Sequence, residues 1–353
     1  MSSARSLAAR LLVRWEALLV LAILGVGAWG STLPYFFTTA NLLDLVTQYV
    51  FIGLMAFGLA FVVVAGEIDI SVVSNMAASV VCFAQLFAAG VDVWVAALIG
   101  LGVATVLGLA NGLLVGILNL PSLAVTLGTL AAYSGLAYVV LAGEGVASFP
   151  SGYTEIGGGY IARELPVALL VVLGFAVVLS ALLHATRFGR YLFAIGSNRE
   201  AARFSGVPVA RVRVTVFVLS GLMAGLAGVA YVGYFGSARA DAGAGSLLDV
   251  VTVVVLGGVD IFGGAGSMLG VFLAFVLVSE LRNAMVTANI AGDRQDILIG
   301  LLLLAAIIAG NLLRAAQAGE VRLGRVGLRQ REVIGQKTMQ WRQLWSTARN
   351  SRT

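Results

Sequence analysis

The segment SNREAARFSGVP, residues 197–208, interrupts a chain that is otherwise mostly apolar. Ser197 and Glu200 have the Ser-x-x-Glu spacing of a capping box, in which each side chain satisfies a free backbone N–H at the start of a helix. Gly206 is placed to adopt the left-handed conformation just past the helix end, and Pro208 prevents continuation. The segment therefore predicts a short helix outside the membrane.

This predicted helix has a small surface formed by Ala201 and Ala202 and one large apolar side chain, Phe204. A water-exposed helix of about two turns is not stable alone, so it must be held by other contacts. Two interpretations fit the spacing. The helix is a docking surface for a partner, or it is an ordinary connecting helix that lies on the membrane surface.

The composition outside this segment is that of an integral membrane protein. Of the 353 residues, 60% are hydrophobic and only 11% are charged, with a mean hydropathy of +1.00. Soluble domains carry about 25% charged residues. The 44 glycines suit close helix packing in lipid. The single cysteine, Cys82, excludes an internal disulfide.

The basic residues indicate membrane topology, and we expect no nucleic-acid partner. They are 21 arginines and one lysine, Lys337, and the formal net charge is +5. A Walker A loop needs Gly-Lys-Ser/Thr, with the lysine reaching the phosphates. Lys337 follows a glutamine in a polar tail. We therefore expect no ATPase activity and no bound cofactor in this chain, so that any ATP hydrolysis belongs to a separate polypeptide.

Apolar runs predict an all-α fold of about ten transmembrane helices. Crossing about 30 Å of hydrocarbon takes about 20 residues, and most runs approach that length. The eighth run is too short to cross alone, which predicts a broken or re-entrant segment. The runs are 17–33, 41–65, 72–89, 94–118, 122–141, 166–184, 214–235, 247–257, 268–290 and 296–313.

The distribution of arginine predicts that both termini are cytoplasmic. With the N-terminus inside, the inner segments hold 18 basic residues and the outer loops hold three. The predicted organisation is a cytoplasmic N-terminal tail (1–16), a transmembrane permease domain (17–314) and a basic cytoplasmic tail (315–353). The permease domain includes the cytoplasmic loop 185–213, which contains the segment 197–208.

Two polar clusters interrupt the membrane runs. The first is VVVAGEIDIS, residues 62–71, and it contains Glu67 and Asp69. Carboxylates this close to hydrocarbon usually face a bundle interior or a wet cavity, which favours a transport pathway. Alternatively, Asp69 or Ser71 caps the following helix. The second cluster, VVVLGGVDI at 253–261, repeats the pattern of the first and hints at an internal duplication.

Four ordered motifs resemble the permease subunit of ribose-type, binding-protein-dependent ABC importers of monosaccharides. The resemblance covers about residues 15–315. The stretches RWE (14–16), GEID (66–69) and YFGSAR (234–239) are most similar to the rhamnose-type and autoinducer-2-type branches. The four motifs are GEIDISV (66–72), LPSLAVTLGTL (120–130), GSNREAA (196–202) and VLGG (255–258) with GGAGS (263–267).

The resemblance implies a multi-pass subunit of the bacterial inner membrane. Two permeases, identical or related, would form the pathway in the lipid. Two ABC ATPase subunits would carry ATP and Mg²⁺ below, and a periplasmic sugar-binding protein would deliver the substrate. The permease would then act by alternating access. The coupling helix to the ATPase would comprise Ser197, Arg199, Glu200, Ala201, Ala202, Arg203, Phe204 and Gly206, with the two alanines and Phe204 as its apolar contacts.

The sequence leaves the transport pathway as a hypothesis. Its predicted polar residues are Glu67, Asp69, Ser71, Asn75, Asn111 and Asp260. An ion-gradient-driven secondary transporter is the alternative, with intramembrane carboxylates at 67, 69, 260 and 280 as coupling groups. An intramembrane enzyme fits less well, because the only histidine, His184, lies at the end of a run and Cys82 has no nearby partner.

Overall fold

The computed structural model describes residues 15–141, 144–161 and 165–317. The predicted N-terminal tail, apart from its last two residues, and residues 318–353 of the basic tail lie outside this range. The chain divides into two units after residue 306, and the first contains the described residues up to that point. The described part of the second unit is the last turns of the final helix.

Within the described ranges the fold is almost entirely helical, with two minimal antiparallel pairs of strands. Strand β1 pairs with β4, and β2 pairs with β3. In chain order the elements are α1 (Trp15–Gly30), α2 (Thr39–Val64), α3 (Val72–Ala88), α4 (Val93–Gly116), α5 (Ser122–Leu141), β1 (Val146–Ala147), α6 (Ser151–Gly158), β2 (Tyr160–Ile161), β3 (Leu165–Pro166), α7 (Val167–Ala185), α8 (Arg187–Ser197), α9 (Arg199–Phe204), α10 (Val209–Phe235), β4 (Ser237–Ala238), α11 (Ser246–Leu256), α12 (Met268–Thr287) and α13 (Gly292–Gln317).

Side-chain caps set several helix starts. Thr38 accepts a hydrogen bond from the backbone N–H of Asn41 before α2, and Asp92 accepts from two N–H groups of α4. Ser267 caps α12 in the same way. Each cap satisfies a backbone donor that has no partner within the helix, which matters most where water is scarce.

The core is built around α2 and α10, which are the most deeply buried of the long helices. Helix α4 crosses α10 along a stripe of small residues four apart, at positions 104, 108, 112 and 116. A Cβ atom built on Gly108 would lie 2.5 Å from the carbonyl oxygen of Phe217 and 2.8 Å from Cα of Gly221. The two backbones therefore touch, which confirms that glycine serves close helix packing here.

The ten predicted apolar runs correspond to ten helices of the described ranges. Seven of them are long and apolar enough to cross a membrane, and α1, α3 and α11 are shorter apolar helices. An all-α membrane fold is thus confirmed. Whether each shorter helix completes a crossing remains a prediction. Helix α11 has 11 residues, or about 16 Å, and its last carbonyl, on Leu256, accepts a hydrogen bond from the indole of Trp15.

Candidate functional site

The predicted cytoplasmic helix is present as α9, but its cap differs from the prediction. Ser197 is the last residue of α8, and its hydroxyl donates to the carbonyl of Phe193. Asn198 is the N-cap, and its Oδ1 accepts from the N–H of Ala201 at 2.9 Å. The proposed Ser197–Glu200 capping box is therefore wrong. Two helices meet at Asn198 with an extended residue between them, and an amide side chain caps as well as a hydroxyl.

The end of α9 follows the prediction. Gly206 adopts a left-handed backbone with φ of +81°, and the N–H groups of Ser205 and Gly206 close the last turn onto α9 carbonyls. Helix α9 is only six residues long. Its stability must come from tertiary contacts.

The side chains of α9 divide between the core and solvent. Ala202 is buried against its own chain, whereas Ala201 is exposed and Phe204 is 89% exposed. The expectation that Ala202 contacts a partner is thus wrong, because its methyl group already packs inside the protein. Ala201 and Phe204 therefore remain available for contact with another molecule.

Glu67 joins α9 to the membrane helices. Its side chain is 3% exposed, and its Oε1 accepts from Nη2 of Arg199 on α9 and, at 2.7 Å, from Nε of Arg213 on α10. Arg213 is also 3% exposed, whereas Arg199 is 46% exposed. Arg213 further donates through Nη1 to Asn119 Oδ1 at 2.8 Å. One buried carboxylate therefore holds three segments together: its own turn, α9 and α10. We call Glu67, Arg199, Arg213 and Asn119 the Glu67 centre.

The turn that carries Glu67 is also attached to α5. The N–H of Ile68 donates to Ser122 Oγ at 3.1 Å, and the Thr126 hydroxyl donates to the carbonyls of Ser122 and Ile68. The turn is thus bonded to the starts of both α5 and α10.

Glycines bring three backbones together beside the Glu67 centre. A Cβ on Gly196, near the end of α8, would lie 2.1 Å from the carbonyl oxygen of Val64 and 2.2 Å from the nitrogen of Gly264. The N–H of Gly264 donates to that same carbonyl at 2.9 Å. The two sequence clusters that resemble each other, near 66 and 263, therefore meet at the end of α8.

Four of the predicted pathway residues lie in or next to one buried hydrogen-bonded network. Asp69 Oδ1 accepts from the N–H and hydroxyl of Ser71, and its Oδ2 accepts from Ser220. Asn111 donates to Ser71 Oγ at 2.9 Å and accepts from the Tyr133 hydroxyl at 3.2 Å. The fourth is Asn75, one turn into α3. Its amide donates to the carbonyl of Ala104, and its Oδ1 has no hydrogen-bond partner among the described residues.

The cap proposed for α3 is present only in part. Ser71 occupies the N-cap position, but its side chain makes no capping bond. Asp69 instead accepts the N–H of Ser71, as Asp does in turns before helices.

Asp260 lies apart from that network, in the loop between α11 and α12. Its Oδ1 accepts from the N–H of Phe262 at 3.0 Å, within the turn that contacts the end of α8. The predicted pathway residues thus occupy at least two places, and Glu67 belongs to a third, the ion-paired centre. The pathway itself stays a prediction.

The sequence analysis missed a second buried ion-pair cluster. Arg282 on α12 donates to both carboxylate oxygens of Asp249 on α11 and to Asp296 on α13. Asp249 is buried in the first turn of the short helix. Its spacing from Arg282, 33 residues along the chain, gives no local sequence signal. Within the described ranges no group of three or more His, Cys, Asp or Glu side chains is placed to hold a metal ion.

A comparison with known proteins gives the family. The model of the family described as branched-chain amino acid transport system / permease component matches residues 41–307. This chain belongs to that permease family. The permease is 34% identical over 306 residues to the autoinducer 2 import system permease protein LsrD of Yersinia enterocolitica, covering 84% of this chain and 92% of the relative. It is equally identical over 305 residues to the LsrD proteins of Escherichia coli K12 and Shigella flexneri. No solved structure matches it.

These findings confirm the resemblance to ribose-type ABC importer permeases. They also confirm a multi-pass membrane transport subunit as its class. The relatives are named as permease proteins of an import system.

Proposed function

We propose that this chain is the permease subunit of an ATP-driven importer and that α9 is its coupling helix. The observation that carries the proposal is the pairing of an exposed contact surface, Phe204 with Ala201, and a buried anchor, the Glu67 centre, on one six-residue helix. A plain connecting helix also needs an anchor, but it does not need an exposed contact surface. The partners are two ABC ATPase subunits, which bind ATP and Mg²⁺, a second permease copy or paralogue, and a periplasmic binding protein.

The mechanism follows from the attachments of α9. ATP-driven closure of the ATPases displaces α9 as a rigid body, because Asn198 and Gly206 end it sharply on both sides. Arg199 then pulls on Glu67, which is bound to α10 through Arg213. The same turn begins α3 and contacts α5. Displacement at one small helix is thereby converted into rearrangement of packed membrane helices, the basis of alternating access.

The substrate we propose is a monosaccharide of rhamnose-like or related type, or autoinducer 2. Support comes from the relatives, which are autoinducer 2 import permeases, and from the polar groups inside the bundle. The Oδ1 of Asn75, which has no partner in the described part of the chain, offers an acceptor for a hydroxyl group, and a buried acceptor without a partner is costly unless a ligand or water uses it. A weak site suffices, because the binding protein selects the sugar.

The test is sugar-stimulated ATP hydrolysis in vesicles that contain this chain, its ATPase and its binding protein. The variant Ala201→Glu with Phe204→Glu places charges on the exposed side of α9. The control is Ala194→Glu, on an exposed position of α8. Ala202 is left unchanged, because a charge at this buried position would disturb folding.

We expect the double variant to lose stimulation while the control keeps it, with both proteins folded in the membrane. Stimulation that survives in the double variant overturns α9 as the coupling helix. Uptake that needs no ATP and collapses with a proton or sodium gradient overturns the importer itself.

A further inference from the structure

A cationic cavity opens beside α9, on the side that the arginine distribution predicts to be cytoplasmic. Its volume is about 780 Å³. Its walls are the end of α4 with Asn119, the segment 207–208, and facing residues of α9 and α10. Three arginines, Arg199, Arg203 and Arg211, line it together with one carboxylate, Glu200.

The cavity has an excess of positive charge. Arg199 is bound to Glu67, but that carboxylate also binds Arg213, so two arginines share one negative charge. Arg203 and Arg211 form no ion pair with any described residue. Arginines gathered without matching carboxylates attract phosphate groups, because the planar guanidinium fits phosphate oxygens in a bidentate arrangement.

An exposed apolar stripe leads from the cavity along α4. Val106, Leu109, Leu113 and Ile117 recur at intervals of three or four residues and are all exposed, and Ile117 also lines the cavity. From 106 to 117 the helix rises about 16 Å. That is about half of the 30 Å hydrocarbon core, the depth of one leaflet. A molecule with an anionic head and an apolar tail of that length fits both features.

We propose that this cavity binds the phosphate headgroup of an anionic phospholipid of the cytoplasmic leaflet, with an acyl chain along the α4 stripe. Basic pockets at the cytoplasmic ends of membrane helices bind such headgroups. A free phosphate ion would use the arginines but not the stripe. The lipid would fasten α9 to the start of α10, next to the Glu67 centre.

The proposed lipid and ATPase surfaces adjoin on α9, because Glu200 lines the cavity and lies one turn before Phe204. At about 100° per residue, Arg199 and Arg203 lie within about 40° of each other, and Phe204 lies about 100° beyond Arg203. Phe204 does not line the cavity. Lipid retention measured with and without the ATPase separates the lipid site from the coupling role of α9.

The experiment measures lipid retention by native mass spectrometry. The full chain is extracted from bilayers of equal phosphatidylglycerol and phosphatidylcholine, alone and with its ATPase. The variant is Arg203→Gln with Arg211→Gln. The matched control is Arg187→Gln with Arg190→Gln, which removes the same charge from exposed positions of α8 outside the cavity. Unfolding midpoints confirm that both variants remain folded.

We expect wild type and control to retain phosphatidylglycerol over phosphatidylcholine, and the cavity variant to lose at least about tenfold of that preference. Equal retention by the cavity variant overturns the site. If wild type retains inorganic phosphate but no lipid, and the cavity variant loses that phosphate, the lipid is overturned as the occupant. Loss of lipid when the ATPase binds would assign the arginines to the ATPase contact, and lipid absent from a permease dimer would assign the stripe to a second copy.

Discussion

Replacing Glu67 by Gln tests whether the Glu67 centre stabilises the protein and connects α9 to the membrane helices. The substitution preserves shape and removes the negative charge. It leaves Arg213 buried, at 3% exposure, without its carboxylate partner and with only amide oxygens, of Asn119 and of the new Gln side chain, as described acceptors. The amide of Gln can also turn its NH₂ group toward a guanidinium, where two donors face each other.

The expected magnitude follows from the two arms of the centre. Opposite charges about 4 Å apart attract by about 4 kcal/mol at an effective dielectric constant of 20. Removing one partner of a buried pair costs about 3–5 kcal/mol, because the other charge stays desolvated. The Arg199 arm is 46% exposed, and solvent screening reduces such a pair to about 0–1 kcal/mol. Most of the loss should therefore come from the Arg213 arm.

The assay compares three variants by unfolding in the same lipid: Glu67→Gln, Arg213→Gln and Arg199→Gln. We expect Glu67→Gln and Arg213→Gln to lower the free energy of unfolding by about 3–5 kcal/mol, and Arg199→Gln to lower it by about 1 kcal/mol or less. A double-mutant cycle of Glu67 with Arg213 should show a coupling of about 1–3 kcal/mol, since the residues are in contact. In vesicles, Arg199→Gln should keep binding to the ATPase yet transport less substrate per ATP.

Three outcomes would refute this reasoning. If Glu67→Gln unfolds like wild type, the carboxylate is not the buried anchor that the contacts indicate. If Arg199→Gln costs as much as Arg213→Gln, the difference in exposure does not set the energy of the two arms. Full coupling in a folded Arg199→Gln protein would separate α9 from the Glu67 centre.

Three further predictions concern other parts of the chain. Gly196→Ala should destabilise by about 1–3 kcal/mol, because the new methyl group meets backbone atoms of two other segments; Gly174→Ala, where nothing lies within 4 Å, should be neutral or stabilising when unfolding is measured. Arg282→Gln should lower the unfolding free energy by about 3–5 kcal/mol, because its side chain is 10% exposed between carboxylates, whereas Arg239→Gln, 67% exposed, should change the unfolding midpoint little. The hydrogen bond from Arg239 lowers the pKa of Asp241. Because that pKa is depressed in the folded state, the stabilisation from this contact is present above the ordinary Asp pKa and is lost as pH falls through the lowered value. In Arg239→Gln, the pKa of Asp241 measured by a carboxyl NMR titration should return to the ordinary range.

Local signals predicted the elements of the fold well. The lengths of the apolar runs predicted the helices, and Gly206 with Pro208 predicted the end of α9, because left-handed backbone and a missing N–H act on their own residue. The predicted start of α9 was wrong by one residue. Ser197 and Asn198 are both good caps, and the geometry at the end of α8 decided for Asn198.

Composition, apolar periodicity and arginine placement by themselves determined that this protein is a helical membrane protein, and the ordered motifs determined its family. These properties are local or additive along the chain. Only the tertiary structure decided that Glu67 pairs with arginines 132 and 146 residues away and that Asp249 pairs with Arg282. A carboxylate in a membrane protein gives the same sequence signal whether its side chain faces a transport pathway or an arginine. Burial and the position of the opposite charge set its role, and both are products of the fold.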